Sequence, residues 1–219
     1  MKLKKDPTLQ EQAYERLKKD LLDGEFKPGH SITIRGLAQQ LSVSPMPIRE
    51  ALRRLTAERA LLLTPTGRVK VPDMTREKLN QLVNARICLE KQAAISAVLT
   101  ISDAVIKRLE KLNERIDQSI DDNDSKRYLR THRQFHFDLY KSGPSDVFMP
   151  LIESVWLQIS PYLSLTLSRE HLNNYNVNDR HVEIIHALKC RDSNALGFAI
   201  EADIRHGLGS LSESDWPHH

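Results

Sequence analysis

Residues 37–55, LAQQLSVSPMPIREALRRL, decide the fold of the first third of this chain. They read as two short helices around a tight turn. Leu37, Ala38 and Leu41 give the first an apolar face, and Ser42, Val43 and Ser44 form the turn. Ser44 has the chemistry of an N-cap for the second helix. Pro45 sits at its first position, where a missing N–H costs nothing. Ile48, Ala51, Leu52 and Leu55 recur at helical spacing and form a buried face. Arg49, Arg53, Arg54 and Arg59 are left for the other face. A capped helix with an apolar back and outward arginines suits insertion into a DNA major groove. The alternative is a helical hairpin with a solvated basic face, and the flanking residues weigh against it.

Downstream, Leu61-Leu62-Leu63-Thr64 and Arg68-Val69-Lys70-Val71 read as two strands joined through Pro65, Thr66 and Gly67. Val69 and Val71 face inward while Arg68 and Lys70 face out, the period-2 pattern of a half-buried strand. That is a wing with cations near its tip. Upstream, Thr8 caps a helix running to about Asp23 with Ala13, Leu17 and Leu21 on one face, and Gly24 and Pro28-Gly29 stop it. Three helices followed by a hairpin make a winged helix-turn-helix.

The run Tyr14…Leu17…Leu21, Gly24, Pro28-Gly29, Leu37-Ala38 and Ser44-Pro45-Met46-Pro47-Ile48-Arg49-Glu50-Ala51-Leu52 resembles the N-terminal domain of GntR-type transcription regulators. The resemblance implies that Arg35, Ser44, Pro45, Met46, Arg49 and Gly67 contact DNA. Where the commoner family pattern has Arg-Thr, this chain has Pro45-Met46. Where the family wing often has Arg-Gly, it has Thr66-Gly67 followed by Arg68, which adds a cation to the candidate DNA-binding set.

The 219 residues allow one large or two small domains. A content of 40% hydrophobic and 28% charged residues is that of a soluble globular protein. The net charge of +3 is unevenly spread. Residues 1–74 hold 14 lysines and arginines against 9 acids, and residues 75–219 hold 18 against 20. Positive charge thus gathers in the part that reads as DNA-binding, as phosphate neutralisation requires. MKLKKDPTLQ lacks the apolar stretch of a secretory signal, and no uncharged apolar run reaches the ~18 residues of a membrane span. Cys88 and Cys190 have no close-spaced partner and read as buried free thiols in a reducing cytoplasm.

Pro72-Asp73-Met74-Thr75 marks a boundary, giving domains 1–74 and 75–219. Beyond it only helical periodicity is found. Thr75 caps a helix with Leu79, Leu82, Val83, Arg86, Ile87, Glu90, Ala93, Ala94 and Ala97 on one face. A second starts near Ser102 with Val105, Leu109, Leu112, Ile116 and Ile120 in a stripe, and Asp121 to Ser125 separate it from a third that ends near Lys141. A fourth, from about Val147 to Arg169, turns Leu151, Ile152, Val155, Trp156, Ile159, Tyr162 and Leu163 inward, and Pro161 predicts a kink. An Asn-rich loop, 173–178, leads to a fifth helix over about 179–190 and a sixth capped by Ser193. The fold class expected is mainly α: a winged helix-turn-helix of three helices and a β-hairpin, then an all-α antiparallel bundle.

Histidines lie on the apolar faces of that bundle. Leu129, His132, His136 and Leu139 share a stripe, and imidazoles at i and i+4 can chelate one metal ion. His181 shares a face with Ile184, Ile185 and Leu188, and His206 follows Ala195, Ala199 and Ala202. A buried histidine is more often a satisfied core residue than a ligand. Four on three core-facing stripes tip the balance to a metal, because unpaired buried imidazoles are costly.

Arg86-x-x-Leu89-Glu90, Phe135-His136, His181-x-x-Ile184 and Asp192…His206 resemble the FCD domain of the FadR-type branch of the same regulators. With the N-terminal match, the resemblance covers nearly the whole chain. It implies a divalent metal held by one Asp and three His. The three His carry over to His136, His181 and His206, and His132 stands in the Asp slot. A set of four His favours zinc or nickel over magnesium or calcium. Arg86 pairs with Glu90 at i+4 or clamps an effector carboxylate beside the metal.

The expectation is therefore a cytoplasmic homodimer that binds a pseudo-palindromic double-stranded operator and responds to a small organic acid. A regulator with a structural metal, or one sensing the metal itself, is the second reading. A metallohydrolase with a DNA module is the third. His132-Arg-Gln-Phe-His136 lacks the Glu of HExxH, and four His leave a tetrahedral zinc no open position for water.

Overall fold

The computed structural model describes residues 6–29, 31–166 and 178–209. The winged unit begins with α1 (Leu9–Leu22), held at its start by a capping box in which Thr8 and Glu11 bond each other's backbone N–H. Strand β1 (Ser31–Thr33) follows, then α2 (Ile34–Gln40) and α3 (Pro45–Ala57). Strands β2 (Leu62–Leu63) and β3 (Arg68–Lys70) complete an antiparallel sheet of order β1-β3-β2. Strand β3 is central. Ile32 and Leu63 both pair with Val69, which is buried, while Arg68 is exposed. Strand β1 was not expected, because its three residues, Ser31, Ile32 and Thr33, are too few for a period-2 pattern. The wing turns at Gly67, whose φ of +73° is one that L side chains rarely adopt.

Ser44 takes the extended N-cap conformation with Pro45 after it, but its side chain makes no capping bond. Arg59 is not on α3. It lies beyond the helix end with φ +59°.

Helices α4 (Arg76–Ala97), α5 (Asp103–Asp121), α6 (Ser125–Tyr140), α7 (Phe148–Thr166), α8 (Asn178–Lys189) and α9 (Ser193–Gly209) form the bundle. Thr75, Ser102 and Asp124 cap α4, α5 and α6 by accepting backbone N–H bonds. For α9 the expected cap, Ser193, is displaced by Asp192, whose Oδ1 accepts from the N–H groups of Asn194 and Ala195. A carboxylate reaches further and carries charge toward the positive end of the helix dipole. Residues 173–177 of the expected Asn-rich loop lie outside the described residues.

In the bundle α4 packs on α7 and α9, and α5 on α6 and α8. Leu79, Leu82, Arg86, Ile87, Glu90, Ala93, Ala94 and Ala97 are all buried along α4, as their spacing predicts. Three expectations fail at the edges of the stripes. Leu151 is exposed on α7, and both Cys88 and Cys190 are exposed rather than buried. Cys88 sits on the outer face of α4, and Cys190 lies just past the end of α8. Gly143 lets the α6–α7 turn press on α4, where an added Cβ would meet the Ala97 backbone at 2.8 Å. The winged unit rests on the bundle through α1 against α7 and through the Tyr162 hydroxyl, which donates to the Pro72 carbonyl at 2.6 Å.

Candidate functional site

Two constellations stand out, one on the winged unit and one inside the bundle. On α3, Pro47, Ile48, Ala51, Leu52 and Leu55 are buried against α1 and α2, so Ser44, Pro45, Met46, Arg49 and Arg53 face out. The arginines are not equivalent. Arg53 pairs with Glu50 at 3.4 Å, and Arg54 lies over the Tyr14 ring at 3.6 Å. Arg49, and Arg35 on α2, are exposed and form no ion pair with another described residue. Arg68 on the wing donates to the Ser31 hydroxyl at 3.2 Å, and Gly67 holds the exposed turn beside it. Arg35, Arg49 and Arg68 are thus solvent-facing guanidinium groups with no ion pair to an acid among the described residues.

Inside the bundle, His132 and His136 on α6, His181 on α8 and Asp203 on α9 bring four ligand atoms within 4.8 Å of one another. His136 Nε2 lies 3.3 Å from His132 Nε2 and 3.2 Å from Asp203 Oδ2, and His181 Nε2 lies 3.6 Å from Asp203 Oδ1. His206 is not among them. The buried arc of α9 runs through Leu196, Ala199, Ile200, Asp203 and Ile204, leaving Ala195 and His206 exposed on its flank. The small-residue stripe that pointed to His206 lies to one side of that arc. Asp203 did carry a signal: an acid between Ile200 and Ile204 is rarely buried without a partner.

The groups around the cluster fix the protons on its imidazoles. Burial, then the Glu90 carboxylate, push the Tyr140 phenol well above its ordinary value, so it keeps its proton and donates it to Glu90 Oε2 at 2.9 Å. The Tyr140 phenol oxygen, 3.1 Å from His136 Nδ1, therefore accepts the Nδ1 proton. His181 Nδ1 lies 3.1 Å from the acceptor Asn113 Oδ1 and carries its proton there. Both Nε2 atoms are left with lone pairs aimed at the cluster, and that of His181 is buried with no hydrogen-bond partner among the described residues. Burial drives the His181 pKa down to about 4 and the His132 pKa well below its ordinary value. For Asp203, burial raises the pKa, but positive charge at the neighbouring imidazoles, His136 first, and a hydrogen bond with His136 more than reverse this, so Asp203 is an anion as long as positive charge shares the cluster with it.

Lone pairs therefore outnumber protons at this point, and one cation would satisfy all four groups. A tetrahedral zinc with bonds of about 2.1 Å sets its ligand atoms about 3.4 Å apart; three of the contacts here are 3.2–3.6 Å, and the four ligand atoms together lie within 4.8 Å. The expectation for this chain was four imidazoles, with His132 in the slot of the family's Asp and His206 as the fourth. The structure draws the carboxylate from α9 and gives His132 to the α6 position.

Arg86 and Glu90 lie beside this cluster, both buried. Arg86 Nε donates to Glu90 Oε1 at 2.6 Å and its second amino group to Oε2 at 3.3 Å. Trp156 Nε1 also donates to Glu90, at 3.0 Å, and the Arg86 guanidinium lies 4.4 Å from the Trp156 ring. Burial lowers the Arg86 pKa, but Glu90 outweighs it and keeps the guanidinium charged. Trp156, Asn113 and Asp203 were not foreseen as site residues, because each meets the histidines only across helices, whereas Tyr140, one turn after His136 on α6, was legible at i+4 and was missed.

Comparison with known proteins matches both parts of the chain to known families. Residues 9–71 match the family described as bacterial regulatory proteins, gntR family, and residues 81–206 match the FCD domain. The HTH-type transcriptional regulator McbR of Escherichia coli is 30% identical over 183 residues, 80% of each chain. The gluconate operon transcriptional repressor of Bacillus subtilis is 24% identical over 188 residues, 82% of this chain and 75% of that one. The structure of E. coli McbR/YncC superposes with a TM-score of 0.86 at 25% identity, covering 93% of this chain and 96% of that one. A GntR regulator from Rhodococcus sp. RHA1 shares the fold, with a TM-score of 0.74 at 22% identity and coverage of 93% and 99%. These families and relatives are transcription regulators, not enzymes, and no helix among the described residues is long and apolar enough to cross a membrane. The chain belongs to the GntR family of bacterial transcription regulators and carries an FCD domain.

Proposed function

We propose that this regulator senses a small organic acid at a metal centre in its bundle and answers by changing its affinity for an operator. The winged domain, residues 1–74, binds double-stranded DNA through Arg35, Ser44, Pro45, Met46, Arg49, Gly67 and Arg68. The bundle, residues 75–219, holds the metal and the effector and joins two chains into a homodimer. One recognition helix reads too few base pairs for a specific site, so two chains on a pseudo-palindromic operator are needed. The protein works in the cytoplasm, where its operator lies.

The converging lone pairs carry this reading. His132, His136 and His181 through Nε2, and Asp203 through its carboxylate, are the proposed ligands. Three nitrogens and one oxygen suit a borderline divalent transition metal, zinc or nickel. When bound, the metal supplies a Lewis-acidic position for one oxygen of the effector. Tyr140 and Asn113 orient the imidazoles from behind. Arg86 offers the second anchor for a carboxylate, in exchange for part of its contact with Glu90.

The completeness of the Glu90 network favours a second reading, in which the metal is structural or is itself the signal. Glu90 already accepts from Arg86, Tyr140 and Trp156, so the network closes without an effector. Untagged protein purified without a nickel column separates the readings. Elemental analysis should find about one metal per chain, and small carboxylates should raise the melting temperature of the loaded protein. Metal without a carboxylate shift, with DNA affinity following metal level, supports the second reading. Absence of metal, not reversed by zinc, nickel or manganese, overturns both.

A further inference from the structure

Helix-turn-helix modules meet base edges with the first residues of their second helix. In α3 those residues are unusual. Ser44 contributes a hydroxyl that caps nothing, and Pro45 has neither a donor N–H nor a polar side chain. Met46 is 60% exposed, although methionine normally fills core gaps. The buried positions begin with Pro47 and Ile48, so Met46 has no packing role. Arg49 comes only at i+3, about 5 Å further along the helix axis. The leading turn of the recognition helix therefore presents an apolar tip and no cation.

Only one group on the major-groove edge of the four base pairs is apolar. Guanine, adenine and cytosine offer hydrogen-bond donors and acceptors, and thymine alone adds a C5-methyl. A thioether has no donor and is a weak acceptor. Against guanine O6 and N7, or the amino groups of adenine and cytosine, it would strip water and return no hydrogen bond. Against a thymine methyl it removes apolar surface from water on both sides. We propose that Met46 is a specificity-determining residue that reads a thymine methyl in each half-site of the operator.

This rests on the operator-binding reading above, and the test separates the two. Sequences are selected from random duplex DNA with the full-length protein. Each thymine of the selected half-site, on either strand, is then replaced by deoxyuridine, which removes only the C5-methyl. One replacement per half-site should weaken binding about fourfold, or about sixteenfold for both, from one buried methyl each. Met46→Ala should be indifferent to that replacement, and Met46→Leu should keep the sensitivity. Met46→Arg should return guanine at the same position, through the bidentate pair with O6 and N7. Because Met46 supports no packing, all three variants should melt as the parent does. Deoxyuridine without effect at every thymine, or with the same effect on Met46→Ala, overturns the inference alone. Failure to enrich any sequence overturns the operator-binding reading with it.

Discussion

The carboxylate of Asp23, at the end of α1, lies 2.8 Å from the Arg133 guanidinium on α6. It joins the winged unit to the helix that carries His132 and His136. Lys19 adds a bond at 2.6 Å, and Arg130 approaches to 3.6 Å. Burial raises the Asp23 pKa, but Lys19 and Arg133 outweigh it, so Asp23 is charged. Lys126 on the same helix reaches Glu25 at 2.8 Å. The two stripes of α6 thus face two different things: Lys126, Arg130 and Arg133 face the end of α1, and His132 and His136 face the cluster. Because α1 also packs on α3, a continuous chain of contacts runs from α6 to the recognition helix.

Asp23→Asn should lower stability by about 3 kcal/mol, because it leaves the poorly exposed Arg133 without its counter-charge. Arg130→Ala, at a half-exposed and longer contact, should cost well under 1 kcal/mol. Urea denaturation of the two variants checks the difference. Equal midpoints would show that the Asp23 cluster does not hold the two units together.

Arg49→Ala should weaken operator binding by about 1–3 kcal/mol per half-site, while Arg53→Ala and Arg54→Ala should change it far less. Arg49 is exposed without an acidic partner among the described residues, whereas Arg53 is tied to Glu50 and Arg54 lies on Tyr14. Gel shifts at one fixed salt concentration give the comparison. An Arg53→Ala loss matching that of Arg49→Ala would place the DNA contact elsewhere on the helix.

Asp203→Ala and His136→Ala should both remove the metal and lower the melting temperature, and His206→Ala should do neither. The first two sit in the cluster, and His206 lies on the exposed flank of α9. Metal content per chain by elemental analysis decides between them. Full occupancy in Asp203→Ala with loss in His206→Ala would restore the four-histidine set.

Tyr140→Phe should weaken metal binding about 10–100-fold without changing any ligand. The phenol oxygen accepts the His136 Nδ1 proton and so holds Nε2 free. Competition with a chromogenic chelator measures the change. An unaltered affinity would mean that packing alone orients His136.

Metal-free protein should lose stability as pH falls from about 6.5 to about 4. The His181 pKa drops from 6.5 to about 4 in the folded state. Between those values the unfolded chain binds the extra proton, so acid favours unfolding. The stabilisation is complete above the unfolded value, and on the order of 3 kcal/mol is lost across the window. His181→Gln should flatten the slope. Urea midpoints taken from pH 7 to 4 in the presence of a chelator test this, and a pH-independent parent would refute it.

Much of this was legible along the chain because the signals are local. The Thr75, Ser102 and Asp124 caps, the buried stripe of α3 and the Val69–Val71 alternation of the wing each depend on residues within a few positions of one another. His132 and His136 were legible for the same reason, being one turn apart on one helix. Misses fell where neighbouring segments compete. Asp192 outranked Ser193 as a cap, Leu151 and both cysteines fell on outer faces, and β1 was too short to show a period.

The sequence by itself determined the two-part architecture, the recognition helix with its Pro45-Met46 departure, and the fact that imidazoles line the bundle. Periodicity, caps and charge distribution are properties of contiguous residues, so no partner segment is needed to read them. Tertiary structure alone decided that Asp203, not His206, lies in the cluster, that Asn113 faces His181 Nδ1 and Glu90 accepts from the Tyr140 hydroxyl, and that Asp23 lies against Arg133. Each of those depends on how far one helix is rotated about its own axis against another. Adjacent residues on a helix lie about 100° apart, so a rotation well short of one residue moves a side chain from the flank into the core. That rotation is fixed by the summed packing of α9 against α4 and α8, to which no single stretch of sequence contributes enough to be read alone.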